Sequence, residues 1–166
     1  MITTAFSTCD LCDAHEEDTS GSFRVLPPVF RHFGAPGPFS GQVVTLRSME
    51  DNSRVREAVN SPGEGRVLVV DGGGSVRAAL VGGNLAVAAA KNGWAGIVVD
   101  GAVRDLDELA ASGIGIKALA LMPMRTMKRG EGQRDVAITV QGVAVRPGDW
   151  LYADEDGIVV STSALL

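Results

Sequence analysis

Apolar positions along the chain fall into short, dense runs punctuated by glycine and proline. Arg66 to Val70 holds Val67, Leu68, Val69 and Val70 without a polar interruption, the pattern of a central strand covered on both faces. Trp94 to Val99 is a second apolar run, predicting a strand over Ala95 to Val99. Lys117 to Met122 is a third, ended by Pro123, and Gly41 to Arg47, with Val43, Val44 and Leu46, is a fourth. Helical signals lie between these runs. Asp51 or Asn52 caps a helix through about Val59 that stops at Asn60-Ser61-Pro62-Gly63. A second helix opens near Gly83 or Asn84 and ends about Asn92-Gly93, and a third, Asp105 to Ser112, is stopped by Gly113. Val76 to Leu80 is expected to be extended. This alternation predicts parallel strands joined by right-handed crossovers.

The two ends of the chain read differently. Ser7 or Thr8 caps a first helix through about Ala14, with Asp10 and Asp13 near its positive end. Residues 19–40 carry Pro27-Pro28, Gly34, Pro36, Gly37 and Pro38, which favour turns and extended chain wrapping the body. Beyond residue 135 the period changes. Val136 to Val140 and Val143 to Val145 flank Gln141-Gly142 as a hairpin, followed by strands at Trp150 to Tyr152 and Gly157 to Val160. The expected architecture is an α/β fold in which a parallel half meets an antiparallel half.

Composition narrows the picture. The 166 residues contain no long polar linker, so one domain, 1–166, is expected. Aromatic residues are only 5% and glycines number 21, which calls for a core of Val, Leu, Ile and Ala with tight turns. No apolar run approaches the ~20 residues of a bilayer span, and no basic-then-hydrophobic leader opens the chain, so a cytoplasmic protein without membrane contact is expected. A net charge of −5 opposes generalised attraction to phosphate backbones, so direct nucleic-acid binding is not expected. Arg125, Lys128 and Arg129, with Arg134 nearby, read as a solvated basic loop. Cys9 and Cys12 lack a second ligand pair and read as packing residues on one helix face. Neither His15 nor His32 has an acid or nucleophile at a diagnostic spacing.

Two stretches carry candidate chemistry. Asp71 to Ser75 places three glycines after a buried strand, but lacks the Gly-Lys-Ser/Thr and dinucleotide spacings. A tight turn that brings backbone to the active cleft is the expectation there. Val81 to Leu109 is richer. Gly82-Gly83-Asn84-Leu85 opens a helix whose unpaired amides suit a carboxylate. Arg104 and Asp105 arrive at the carboxyl end of the following strand, where ligands bind in open α/β sheets. Arg104 forks onto a carboxylate and Asp105 is a hard oxygen ligand suited to Mg²⁺ or Mn²⁺. A surface ion pair capping a helix is the alternative.

These residues carry a resemblance. The string from Gly65 to Leu109, followed by GIKALALMP and YADEDGIVV, is similar to the RraA family, which joins regulators of ribonuclease E to metal-dependent 4-hydroxy-4-methyl-2-oxoglutarate aldolases. Its most specific element is Gly83, twenty residues, Arg104-Asp105, two residues and Glu108. The resemblance implies a swivelling α/β/β sandwich assembled as a homotrimer. It also implies substrate contact by Arg104 and by the backbone of Gly82, Gly83, Asn84 and Leu85, with the metal on Asp105. The implied reaction is cleavage of 4-hydroxy-4-methyl-2-oxoglutarate to two pyruvates, with oxaloacetate decarboxylation through the same enolate. Many active aldolases of the family carry an acid where this chain has Gly83, and Asp71, Asp100, Asp107 and Glu108 are the substitutes at hand. The competing implication is a non-catalytic inhibitor of a ribonuclease E-type partner. A scaffold that binds a carboxylate metabolite without turnover is a third.

Overall fold

The computed structural model describes residues 5–166. Helix α1 (Thr8–Ala14) precedes strands β1 (Phe23–Val25), β2 (Arg31–His32) and β3 (Phe39–Arg47). Helix α2 (Ser53–Val59) leads into β4 (Val67–Asp71), β5 (Ala79–Val81), α3 (Gly83–Lys91), β6 (Gly96–Val103), α4 (Leu106–Ala110) and β7 (Gly115–Leu121). The remainder is β8 (Gln133–Arg134), β9 (Ile138–Val140), β10 (Val143–Val145), β11 (Trp150–Ala153) and β12 (Ile158–Ser161).

The main sheet runs β1-β12-β11-β3-β4-β6-β7-β2, with β5 beside β6 and β8 beside β3. Strands β3, β4, β6 and β7 are parallel neighbours, Val43 opposite Val67, Val67 opposite Gly96 and Gly96 opposite Gly115. The β11 and β12 strands join antiparallel, Trp150 opposite Gln42 and Ser161. Side-chain alternation builds two cores from one sheet. Leu68, Val70, Ile97 and Val99 point to the side of α2 and α3, packing with Val55, Val59, Ala86 and Ala89. Val67, Val69 and Val98 point the other way, against Ile138, Val140 and Val145 of the β9–β10 hairpin and Leu151 and Val160 of the antiparallel strands. The unbroken apolar run of β4 follows from this, because both of its faces are fully buried. The result is the mixed α/β architecture expected from the chain's two periods.

Several expectations need correction. Within residues 19–40, β1 pairs with β12 and β2 with β7, so the wrapping segment closes both sheet edges instead of remaining irregular. Strand β6 continues past Val99 through Asp100 and Gly101 to Val103, with a register irregularity between Val99 and Ala102. Asp100 can lie inside a strand because the Gln141 amide and side chain both donate to its carboxylate, at 3.3 and 2.7 Å. That contact also fixes the hairpin turn, where Gln141 and Gly142 both have positive φ. On α1, Thr8 and Leu11 form the buried face; Cys12, half-buried, packs beside Leu11 as expected, while Cys9 is exposed and does not. Asn52 makes no side-chain cap on α2; Asp51 Oδ1 instead accepts from the Ser53 amide and hydroxyl, at 2.9 and 2.6 Å.

Candidate active site

The carboxyl ends of the parallel strands open onto a cleft of about 440 Å³, between the start of α3, the end of β6 and the chain after β7. Its geometry begins with β5. The Arg104 amide donates to the Val81 carbonyl at 3.0 Å, which holds the end of β6 level with the entrance to α3. Asp105 then turns the chain into α4 with φ 67°, a left-handed conformation that aspartate tolerates better than most side chains. The turn aims its carboxylate back at α3, where Oδ2 accepts from the Gly83 amide at 2.9 Å. Arg104 is bonded through Nη1 to the Pro123 carbonyl at 3.3 Å.

Glycine at 82 makes this possible. A Cβ there would stand 2.8 Å from Asp105 Oδ2 and 3.4 Å from Arg104 Cγ and Nε, so any larger residue would displace the Asp105 carboxylate and press on Arg104. The structure therefore brings Gly82, Gly83, Asn84, Leu85, Arg104 and Asp105 to one cleft. The helix-end expectation needs one adjustment. The Gly83 amide is taken by Asp105, and the Ala86 amide by the Gly82 carbonyl, which leaves the Asn84 and Leu85 amides as the first-turn donors for an anion.

Gly83 marks the place of a side chain supplied from elsewhere. A Cβ built on Gly83 would overlap Glu108 Oε2 and lie 2.7 Å from Glu108 Cβ and Cδ. Glu108 thus fills, from α4, the space that a residue-83 side chain would enter. Of the four acids considered as substitutes, the structure puts Glu108 there. Asp100 is committed to Gln141, and Asp71 accepts from the Gly73 amide and pairs with Arg47. Asp107 shares the first turn of α4 with Glu108.

Two other expectations change. The Gly72-Gly73-Gly74 turn does not line the cleft: Gly72 sits against Asp100 and Leu80, and Gly73 against Met49. Conversely Arg125 and Lys128, read as part of a solvated loop, line the cleft with Arg56 of α2. Pro123 ends β7 at the same sheet edge as Arg104, and that edge rule, applied to β7 as it was to β6, would have located them. Arg134 instead belongs to β8. A larger cavity, about 540 Å³, opens at the opposite ends of the strands, around Phe39, Trp94, Trp150 and Tyr152. Among the described residues its wall holds no acid, histidine or basic side chain.

Among the described residues no group of three or more His, Cys, Asp or Glu side chains converges as a metal cage. The donor set does fit a hard divalent ion held chiefly by water and substrate, since such ions commonly take one or two protein carboxylates and retain several waters. Asp105 Oδ1 is the free oxygen for direct contact, and Glu108 is the second acid nearby.

A family model described as RraA-like, Aldolase/RraA, matches residues 8–160. A protein of Albidiferax ferrireducens, provisionally named 4-hydroxy-4-methyl-2-oxoglutarate aldolase, is 62% identical over 173 residues, covering 99% of this chain and 100% of that one. The structure of the RNA-processing inhibitor RraA from Thermus thermophilis superposes with TM-score 0.91 at 47% identity, over 98% of this chain and 96% of that one. A Geobacillus kaustophilus structure named S-adenosylmethionine: 2-dimethylmenaquinone methyltransferase gives TM-score 0.89 at 41% identity, over 96% and 97%.

Proposed function

The chain belongs to the Aldolase/RraA family, and on that premise we propose that it is a carbon–carbon lyase using Mg²⁺ or Mn²⁺ to cleave 4-hydroxy-4-methyl-2-oxoglutarate into two pyruvates. The observation that carries this reading is the joint packing of Arg104 and Asp105 over Gly82, in front of the free amides of α3. A cation, a hard ligand and neutral N–H donors meeting at one point suit a 2-oxo acid. The relative from Albidiferax ferrireducens supports the same substrate class through its name.

In this reading the Asn84 and Leu85 amides and the Arg104 guanidinium bind the carboxylate next to the keto group. Asp105 would hold the divalent ion, with Glu108 orienting its water shell from the space beside Gly83. The ion supplies Lewis acidity at the keto oxygen. Cleavage moves the C3–C4 electron pair into the keto group, giving pyruvate enolate, while the C4 hydroxyl loses its proton and becomes the carbonyl of the second pyruvate. Arg104 shares the charge that develops on the enolate oxygen, and protonation at C3 completes the first pyruvate. Oxaloacetate, losing CO₂ in place of pyruvate, passes through the same enolate and is the expected secondary substrate.

Two other names among the relatives suggest other roles. A methyltransferase binds a cationic sulfonium donor, and a cleft lined by Arg56, Arg104, Arg125 and Lys128 opposes one. A non-catalytic role is the stronger second reading, supported by the likeness to the Thermus thermophilis inhibitor and by the net charge of −5, which suits docking on a basic ribonuclease E-type partner. The working unit in both readings is a homotrimer, as the sequence resemblance implies. Pyruvate release from 4-hydroxy-4-methyl-2-oxoglutarate and oxaloacetate, with and without Mg²⁺ or Mn²⁺, tests the proposal. Metal-dependent release supports it, and absence of release from both substrates with either metal overturns it.

A further inference from the structure

Among the described residues four cationic side chains, Arg56, Arg104, Arg125 and Lys128, line a cleft that contains a single lining carboxylate, Asp105. The imbalance is unexpected in a chain of net charge −5. Five of the nine arginines outside the cleft are paired, Arg24 with Asp149, Arg47 with Asp71, Arg54 with Glu57, Arg77 with Glu50 and Arg134 with Asp135. Among the described residues none of the four cleft cations makes such a pair. Like charges gathered without counter-charges raise the local positive potential, and an anion relieves it.

The backbone that presents Arg125 and Lys128 is anchored at successive points. The Ala79 amide donates to the Met124 carbonyl at 2.8 Å, and Arg125 forms a bridge with Ala79. Thr126, buried between the two cations, accepts from the Asn52 amide at 3.3 Å. Immediately beyond Lys128, the Arg129 and Glu131 amides donate to Asp51 Oδ2, at 2.7 and 3.2 Å. Burial of Thr126 leaves its neighbours outside the core. Arg125 and Lys128 therefore stand on a fixed strip with their charges uncommitted.

We propose that Arg125 and Lys128 hold the distal carboxylate of the substrate, so that the site selects dicarboxylic 2-oxo acids over monocarboxylic ones. The inference rests on the lyase reading for the position of the proximal carboxylate, on Arg104 and the α3 amides. One carboxylate and Asp105 offset two of the four cations; a second carboxylate, separated from the first by a short carbon chain, offsets a third and can be shared by Arg125 and Lys128. Arg125 offers a planar fork and Lys128 a mobile point charge, a combination that accepts a tetrahedral C4 carrying a carboxylate in either of two orientations. Arg56, on the α2 side, adds to the field that draws the dianion in.

The test compares two unreactive ligands of equal chain length, 2-oxoglutarate and 2-oxopentanoate, by calorimetry with Mg²⁺ present. The natural protein is expected to bind 2-oxoglutarate at least tenfold more tightly, about what one charge-assisted carboxylate contact confers. In Arg125→Gln/Lys128→Gln that preference is expected to collapse, 2-oxoglutarate weakening at least tenfold and 2-oxopentanoate far less. In turnover of 4-hydroxy-4-methyl-2-oxoglutarate the same variant is expected to raise KM with a smaller change in kcat. Retention of the preference by the double variant, or equal weakening of both ligands, overturns this inference while leaving the lyase reading intact. Binding of neither ligand by the natural protein overturns the lyase reading, and this inference with it. Unchanged circular dichroism of the variant excludes misfolding as the cause of any loss.

Discussion

Glu108 standing in the space beside Gly83 leads to a prediction that exchanges two positions. If Glu108 provides the second acid of the metal site, Glu108→Ala should reduce both apparent metal affinity and kcat/KM by about 10- to 100-fold, the usual effect of removing an outer partner of a metal ligand. Gly83→Asp alone should fail for a different reason. Its Cβ would overlap Glu108 Oε2 and stand 2.7 Å from Cβ and Cδ, and Glu108 Cβ moves only with the backbone of α4. Such overpacking costs about 1–3 kcal/mol. For a chain of this size that lowers Tm by roughly 2–4 °C per kcal/mol. Combining the two changes removes two of the three crowding atoms and returns a carboxylate from the α3 side. Because the residue-108 Cβ remains at 2.7 Å, Gly83→Asp/Glu108→Ala is expected to recover part of the lost Tm and to exceed Glu108→Ala in activity, a non-additive cycle. Thermal melts and pyruvate release titrated with Mg²⁺ measure both halves. Full activity and an unchanged metal requirement in Glu108→Ala would refute the reasoning and leave Glu108 as a first-turn helix acid.

Other predictions follow from neighbouring contacts. Arg104→Lys keeps the charge but loses the fork, and kcat/KM is expected to fall at least tenfold; unchanged kinetics with both oxo acids would reduce Arg104 to a surface residue. Asp51 is tuned by opposing effects: burial raises its carboxyl, while bonds from the Ser53 hydroxyl and amide and from the Arg129 and Glu131 amides outweigh this and bring it from 3.8 down to about 2. A folded-state pKa below the unfolded one contributes stability that is fully present above pH 3.8 and is lost as the pH falls through about 2. Asp51→Asn should flatten acid unfolding across that window, read by denaturant midpoints from pH 5 downward, and an unchanged slope would contradict the assignment. Light scattering should give a trimer mass at micromolar concentration, against which a monomer would stand.

Strands β4 and β6 were legible because they are buried on both faces, which forces apolar runs that need no knowledge of partners. Strand edges were less so. The β1 and β2 strands are stabilised by what they pair with, β12 and β7, and a segment dense in proline carries no local trace of that pairing. The end of β6 was hidden because Asp100 is satisfied by Gln141, forty-one residues away in sequence. At the cleft, Arg104, Asp105 and the start of α3 could be read because one βα unit contains them all. Arg125 and Lys128 called for the same strand-end rule carried on to β7, while the tether from Ala79 and the grip of Asp51 on residues 129 and 131, which fix their strip, leave no local signal. Glu108 was within the recognised spacing, but its place beside Gly83 follows from the left-handed turn at Asp105, which swings α4 back over α3.

The most direct test of the central claim is the metal dependence of pyruvate release in Asp105→Asn. The substitution preserves shape and keeps an acceptor for the Gly83 amide while removing the negative charge that a hard divalent ion requires. Asp105 is exposed, so folding should be retained, and docking on a ribonuclease through the outer surface should be unaffected. The natural protein is expected to release pyruvate from 4-hydroxy-4-methyl-2-oxoglutarate with saturable Mg²⁺ or Mn²⁺ dependence, and Asp105→Asn to lose at least about a hundredfold in kcat/KM at any metal concentration. Release by the variant at the parent rate with the same metal curve would contradict the claim.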